Sequence, residues 1–255
     1  MPGYLEGWTI RWPRACLTRL ASTLLPCSCA LCGELADTVV CVHCRSRYAA
    51  PRGASCLCCA NPLGPEAPAG HCGACLADPP AFDATLAAVD YEAPLDALVL
   101  GLKFGAQLPL APWFAALLRD AALAATAAQP GWPLPDLLCP VPLGPRRLRE
   151  RGFNQALEIA RPLAEAMGIE LQPRLAARAV ETVAQSGVAP LERARNIRGA
   201  FAVSPDMAHL VRGRHVGVVD DVMTSGHTLN ELAATLKAAG AARVSNLVFA
   251  RTPPS

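Results

Sequence analysis

The chain has 255 residues, of which 52% are apolar and 17% charged, with a formal net charge of +2. That composition excludes a disordered chain, and the small net charge excludes a protein that coats nucleic acid by bulk electrostatics. No run of about 18 uncharged apolar residues occurs, which argues against a membrane-spanning helix.

Arg11, Arg14 and Arg19 interrupt residues 8–25, so this stretch lacks the apolar centre of a secretory leader. The expected compartment is therefore cytoplasmic. Ala15 to Leu25 reads as an amphipathic helix, and residues 1–25 as a segment separate from the cysteine-rich stretch after it.

Cysteine dominates that next stretch. The chain holds 12 cysteines, most of them before residue 76, and eight fall into four C-x-x-C pairs: Cys29/Cys32, Cys41/Cys44, Cys56/Cys59 and Cys72/Cys75. Such a knuckle turns two thiolates to one side, and two knuckles complete a tetrahedral four-cysteine zinc site. Eight ligands imply two structural Zn2+ ions. Glycine and proline fill the intervals, leaving little apolar core, so residues 26–80 are expected to be a module that needs its metal to fold.

Sequential pairing of the knuckles and a cross-braced alternation both satisfy the count. The short first loop closes at lower entropic cost and favours the sequential order. Cys27, Cys58, His43 and His71 lie beside the knuckles as spare donors, and Cys16 and Cys139 read as buried apolar thiols. The absence of a basic cluster here points to a structural or docking role.

Beyond Pro79-Pro80 the composition changes, and residues 81–255 are expected to form the second domain. Residues 82–91 read as a strand and 94–104 as a helix whose Leu95, Leu98, Val99 and Leu102 share a face. A second helix spans 113–128, and 137–142 is a short buried strand broken by prolines. Arg146, Arg147, Arg149 and Arg151 then concentrate positive charge. With Lys103 they are the candidate contacts for pyrophosphate or a nucleic-acid backbone, since guanidinium forks match phosphate oxygens. A solvated helix face is the plainer alternative. A helix over 156–167 comes next. Arg178, Thr182, Gln185, Arg193 and Asn196 then fall in a stretch poor in large apolar residues, read as a flexible loop, with an ordinary hairpin as the alternative.

The stretch from Val216 to Leu229 carries the most chemistry. Val216 to Val219 is an apolar run suited to a parallel strand covered on both faces. Asp220 and Asp221 are expected at its carboxyl end, where ligands bind in open α/β sheets. Thr224, Ser225 and Thr228 supply hydroxyls, and Gly226 lets backbone approach a bulky anion. A helix from Thr228 would aim its first amides at the same spot. Phospho-receiver domains also place acids after an apolar strand, but near the start of the chain and without this turn.

This pattern resembles the phosphoribosyl-diphosphate (PRPP) motif of type I phosphoribosyltransferases. The resemblance implies that Asp220 and Asp221 are the catalytic acids that hold the ribose hydroxyls. It implies further that Val222, Met223, Thr224, Ser225, Gly226, His227 and Thr228 form the PRPP loop around the 5-phosphate, with Mg2+ on the diphosphate. Ser225 stands where the motif has threonine, and it keeps the hydroxyl.

The wider order is similar to the ComF/GntX family. It comprises the cysteine pairs, Leu102-Lys103-Phe104, Pro140-Val141-Pro142-Leu143, the arginine run into Gly152-Phe153-Asn154-Gln155, and Arg178 through Phe201. That resemblance implies an α/β fold, a mainly parallel sheet flanked by helices, behind a double zinc ribbon. It also implies partners in DNA uptake and natural transformation, including single-stranded DNA.

Overall fold

The computed structural model describes residues 27–64, 70–128, 133–179 and 199–253. The helix expected over Ala15 to Leu25 lies outside them. The cysteine-rich part is built twice over. A hairpin of β1 (Cys27–Ser28) and β2 (Leu35–Ala36) leads into α1 (Val42–Tyr48), which starts directly after Cys41. In the second half α2 (Gly73–Ala77) starts directly after Cys72. Each half thus opens a short helix on its second knuckle.

The rest is laid on five parallel strands. β3 (Ala84–Asp90) is followed by α3 (Leu95–Phe104) and α4 (Leu110–Ala128). Next come β4 (Leu137–Pro140), α5 (Pro145–Arg151), α6 (Gln155–Met167) and β5 (Glu170–Leu171). β6 (Ala176–Arg178) and β7 (Phe201–Val203) form a separate antiparallel pair. After the short α7 (Ala208–Val211), β8 (His215–Met223), α8 (His227–Ala238) and β9 (Arg243–Arg251) complete the chain.

The sheet order is β3-β9-β8-β4-β5, parallel throughout. β8 is therefore central, and its Gly217 is required there: a Cβ would come within 2.7 Å of both Leu138 and Pro135 side chains. α3, α4 and α6 share one core with Phe249, on which Phe114 stacks with ring centroids 3.6 Å apart. The apolar face of α8 (Leu229, Leu232, Ala233, Leu236) belongs to the other core. The two cysteine halves part at the β3 edge. Cys29 and Cys44 join the first core, and Cys56, Cys58 and Cys59 join the second.

Several boundaries differ from the expectation. β8 runs on to Met223 because β9 pairs with it up to Met223↔Arg251. Asp220 and Asp221 thus lie in the carboxyl-terminal half of the strand, which continues two residues past the expected end at the acidic pair. On the other side β4 accompanies β8 only as far as Pro140↔Val219. From Asp220 onward β8 has lost one neighbour, and the space this leaves is the cleft. α4 starts three residues before the expected Trp113, and α8 starts at His227.

Candidate active site and metal centres

The eight C-x-x-C cysteines gather in sequential order, Cys29/Cys32/Cys41/Cys44 and Cys56/Cys59/Cys72/Cys75, with all four sulfurs of each set within 4.8 Å of one another. Zinc–sulfur bonds of about 2.3 Å place tetrahedral sulfurs roughly 3.8 Å apart. Cys32 Sγ lies 3.9 Å from Cys41 Sγ, and Cys59 Sγ lies 3.6 Å from Cys72 Sγ, so both sets fit zinc.

The halves also match in detail. The Cys41 amide donates to Cys29 Sγ and the Cys72 amide to Cys56 Sγ, each at 3.3 Å. Burial pushes the Cys29 thiol up, but the amides of Cys41, Cys32 and Leu31 outweigh it and its pKa falls to about 6. Cys56 falls to about 7 in the same way: its burial is outweighed by the amides of Cys59, Cys72 and Cys58. The spare cysteines have other partners. Cys27 Sγ donates to the Ala36 carbonyl at 3.1 Å, and Cys58 Sγ faces the Phe82 carbonyl at 3.8 Å. Cys139 is buried in the second core, and burial pushes its thiol up to about 12.

The cleft above β8 has a volume of about 710 Å³. Asp220, Asp221, Val222, Thr224 and Thr228 line its floor, Lys103 and Phe104 come from the end of α3, and Arg147, Arg151 and Arg178 line its walls. Asp220 Oδ1 accepts from the Asp221 amide at 2.9 Å. Burial raises the Asp220 pKa well above its ordinary 3.8, and the adjacent Asp221 charge raises it further, while Lys103 opposes both.

Lys103 Nζ lies 2.6 Å from the buried Asp221 Oδ2, so its ammonium pairs directly with that carboxylate.

The turn after β8 is shaped by Gly226, with φ +81°, where a Cβ would meet the Met223 methyl at 2.6 Å. Thr224 and Ser225 are exposed, and Ser225 Oγ lies 3.0 Å from His227 Nδ1. These exposed hydroxyls stand beside the first turn of α8, and a helix start favours anions in general.

The arginine run is divided by its helix. Arg147, Glu150 and Arg151 line the cleft, whereas Arg146, which pairs with Glu150, and the exposed Arg149 are not among its lining residues. Arg151 lies over the Phe104 ring at 5.4 Å and donates to Gln155 Oε1. Burial lowers the Arg151 pKa, and the charges of Asp221 and Asp220 oppose that fall. Arg178, also lowered by burial, ends β6 and sits over Phe201. Thr182, Gln185, Arg193 and Asn196 lie outside the described residues. Asn154 caps α6, accepting from the Ala156 amide and donating to the Val141 carbonyl.

Two residues of this region carry a role that sequence patterns did not give them. Phe104 is 76% exposed at the cleft mouth, and an exposed aromatic ending an otherwise buried helix face is a signal that could have found it. Arg251 is buried, and its Nη1 donates to the carbonyls of Met223 and Thr224 at the start of the turn. No local pattern marks it.

Over residues 154–254 the chain matches the phosphoribosyl transferase domain family. The DNA utilization protein YhgH of Salmonella typhi is 38% identical over 189 residues, covering 72% of this chain and 81% of that protein. Its Escherichia coli K12 counterpart is 35% identical over the same span. Competence protein F of Haemophilus influenzae is 29% identical over 222 residues, covering 83% of this chain and 96% of that one. The chain belongs to the ComF family.

As a ComF-family chain it joins a phosphoribosyltransferase-type sheet to two cysteine clusters suited to zinc. The domain match takes in α6, β8, α8 and β9, and with them the acidic pair and the turn. Among the described residues no helix is long and apolar enough to cross a membrane. A purine-biosynthesis regulatory enzyme aligns with half the chain (51%) at a TM-score of 0.30, too low to argue from.

Proposed function

We propose that the cleft binds PRPP with Mg2+ and transfers its phosphoribosyl group to an acceptor, in a cytoplasmic protein that serves DNA uptake. The observation that carries this reading is the convergence of Asp220 and Asp221 with Thr224 and Thr228 in one cleft. A vicinal diol offers hydroxyl donors, and the adjacent carboxyls of Asp220 and Asp221 offer acceptors for them in the same cleft. The turn over Gly226 takes the 5-phosphate through amides and hydroxyls. Lys103, Arg147 and Arg151 face the diphosphate. The carboxylates are hard oxygen donors of the kind Mg2+ accepts, and the ion, when bound, offsets diphosphate charge.

In the reaction the bond from the anomeric carbon to the diphosphate oxygen breaks and the electron pair leaves with pyrophosphate. The acceptor's nucleophile then closes on the same carbon. The protein's share is positioning and charge stabilisation, and no covalent intermediate is needed. Residues 26–80 serve as the zinc-holding module and 81–255 as the transferase-like unit.

Calorimetric titration of the protein with PRPP and Mg2+ tests this reading. We expect binding in the wild type and its loss in the Asp220→Ala/Asp221→Ala variant. Incubation with PRPP, Mg2+ and a metabolite pool should release pyrophosphate and yield a ribosylated mass. PRPP binding that survives loss of both aspartates overturns the reading.

A second reading is supported by Phe104 at the cleft mouth and the arginines beside it. In that reading the protein handles single-stranded DNA under PRPP control, with stacking on Phe104 and phosphate contacts from the arginine helix. Charge reversal of Arg147 and Arg149 should weaken single-stranded DNA binding and flatten its salt dependence by roughly 1–2 log units per log salt. An unchanged salt slope removes the DNA role of this helix.

A further inference from the structure

Arg251 joins two sites that the sequence separates by more than a hundred residues. It is the last residue of β9 and is 6% exposed. Its Nε donates to the carbonyl of Cys59, a member of the second cysteine cluster, at 2.9 Å. Its Nη1, with two N–H donors shared among three acceptors, lies 3.0 Å from the Met223 carbonyl oxygen and 2.5 Å from those of Thr224 and Thr252. One rigid, planar group therefore fixes a metal knuckle on one side and the first residues of the phosphate turn on the other. A guanidinium suits this task because its donors are locked in one plane, so displacing one acceptor misaligns the rest.

The charge balance points the same way. A buried cation is costly unless an opposite charge compensates it. Among the described residues no carboxylate forms an ion pair with Arg251, and its acceptors there are neutral carbonyls. Zinc held by four thiolates is a net anion, and Cys59 brings that centre against Arg251. Among the described residues the first cluster has no such link. It reaches the rest of the chain through the apolar core of α4 and the exposed Arg45–Asp120 pair.

We propose that Arg251 is a positioning residue that couples zinc at Cys56/Cys59/Cys72/Cys75 to the phosphate turn. Metal at that cluster raises the affinity of the turn for a phosphorylated ligand, and the ligand raises the affinity for metal. The proposal rests on the PRPP reading above for the identity of the ligand. Reciprocity follows from linkage, because both partners bias one shared arrangement of the Arg251 contacts.

The test is an equilibrium competition for zinc between the intact protein and a chromogenic chelator that ignores Mg2+, with and without saturating PRPP and Mg2+. Alkylation and peptide mass spectrometry then show which cluster has lost its ion. We expect PRPP to make the zinc of the second cluster about 5–150-fold harder to remove and to leave the first cluster unchanged. In Arg251→Met the protection should vanish and PRPP affinity should fall by a similar factor. Arg251→Lys, which keeps the charge but not the fork, should recover only part. The wild-type competition decides the matter even if both variants fail to fold. Binding of PRPP without protection, or with equal protection of both clusters, overturns the coupling and leaves the PRPP reading standing. If PRPP does not bind at all, both fall.

Discussion

Four thiols crowd within 4.8 Å at each cysteine cluster, whereas the cleft sets two neighbouring carboxyls on one strand with a lysine beside them. Both places crowd acidic groups that are wholly or partly buried, and the outcomes differ. Thiols in tetrahedral array have a partner that satisfies all four at once, a divalent metal, and the metal's binding energy becomes folding energy. The carboxyls have Lys103 alone at ion-pair distance among the described residues, and burial raises Asp220 against ionisation. One region is suited to convert crowding into stability by binding metal. The other keeps a carboxyl perturbed by its surroundings, as active sites commonly do.

The largest effect should come from the metal side. Cys59→Ser is expected to reduce bound zinc from two ions to one, seen by elemental analysis. It should also lower stability by several kcal/mol, since structural zinc sites contribute about 10–16 kcal/mol in isolated fingers. A variant with full zinc content and unchanged melting would break the comparison.

The cleft should respond with the opposite sign. Asp220 has a raised pKa in the folded protein, so the folded state holds its proton to higher pH than the unfolded chain does. Its ionisation therefore costs no stability below its ordinary 3.8 and progressively more as pH rises toward the folded value. Asp220→Asn removes that cost. Its melting temperature should exceed the wild type's by a gap that widens between acid and neutral pH, about 2–4 °C for each kcal/mol recovered. A gap that narrows with pH would show that burial is not what perturbs this carboxyl.

The smallest effect is expected where the first cysteine half touches α4. Arg45 meets Asp120 at 2.8 Å, but both side chains are well exposed. Arg45→Ala should cost about 0–1 kcal/mol, a shift of no more than a few degrees by calorimetry. A larger loss would mean that the exposed pair, rather than Val40 and Cys44 in the apolar core, holds this half in place.

Much of the fold was legible because its signals are local. The apolar face Leu95/Leu98/Val99/Leu102 marks α3, the valine run marks β8, and C-x-x-C spacing alone gives the knuckles. The acidic pair and the Thr224–Thr228 turn were legible for the same reason, since strand, turn and helix start lie within about one dozen consecutive residues. The division of the arginine run was not legible. Only the placement of α5 over the cleft decides that Arg147 and Arg151 face it while Arg149 does not. The end of the acidic strand was misread because its last residues owe their strand state to β9, not to their own side chains.

The amino-acid order by itself determined the kinds of chemistry present: two tetrathiol sets, a pair of acids, and a turn able to accept phosphate. Each is a matter of short spacing, which backbone geometry converts directly into proximity. Only the tertiary structure decided how these parts meet. β4 stops short of β8 and opens the cleft, the cysteine halves settle on different cores, and Arg251 reaches back to Cys59. Such meetings depend on long-range packing of the sheet and its helices, and no local pattern of residues encodes the distance across a folded core.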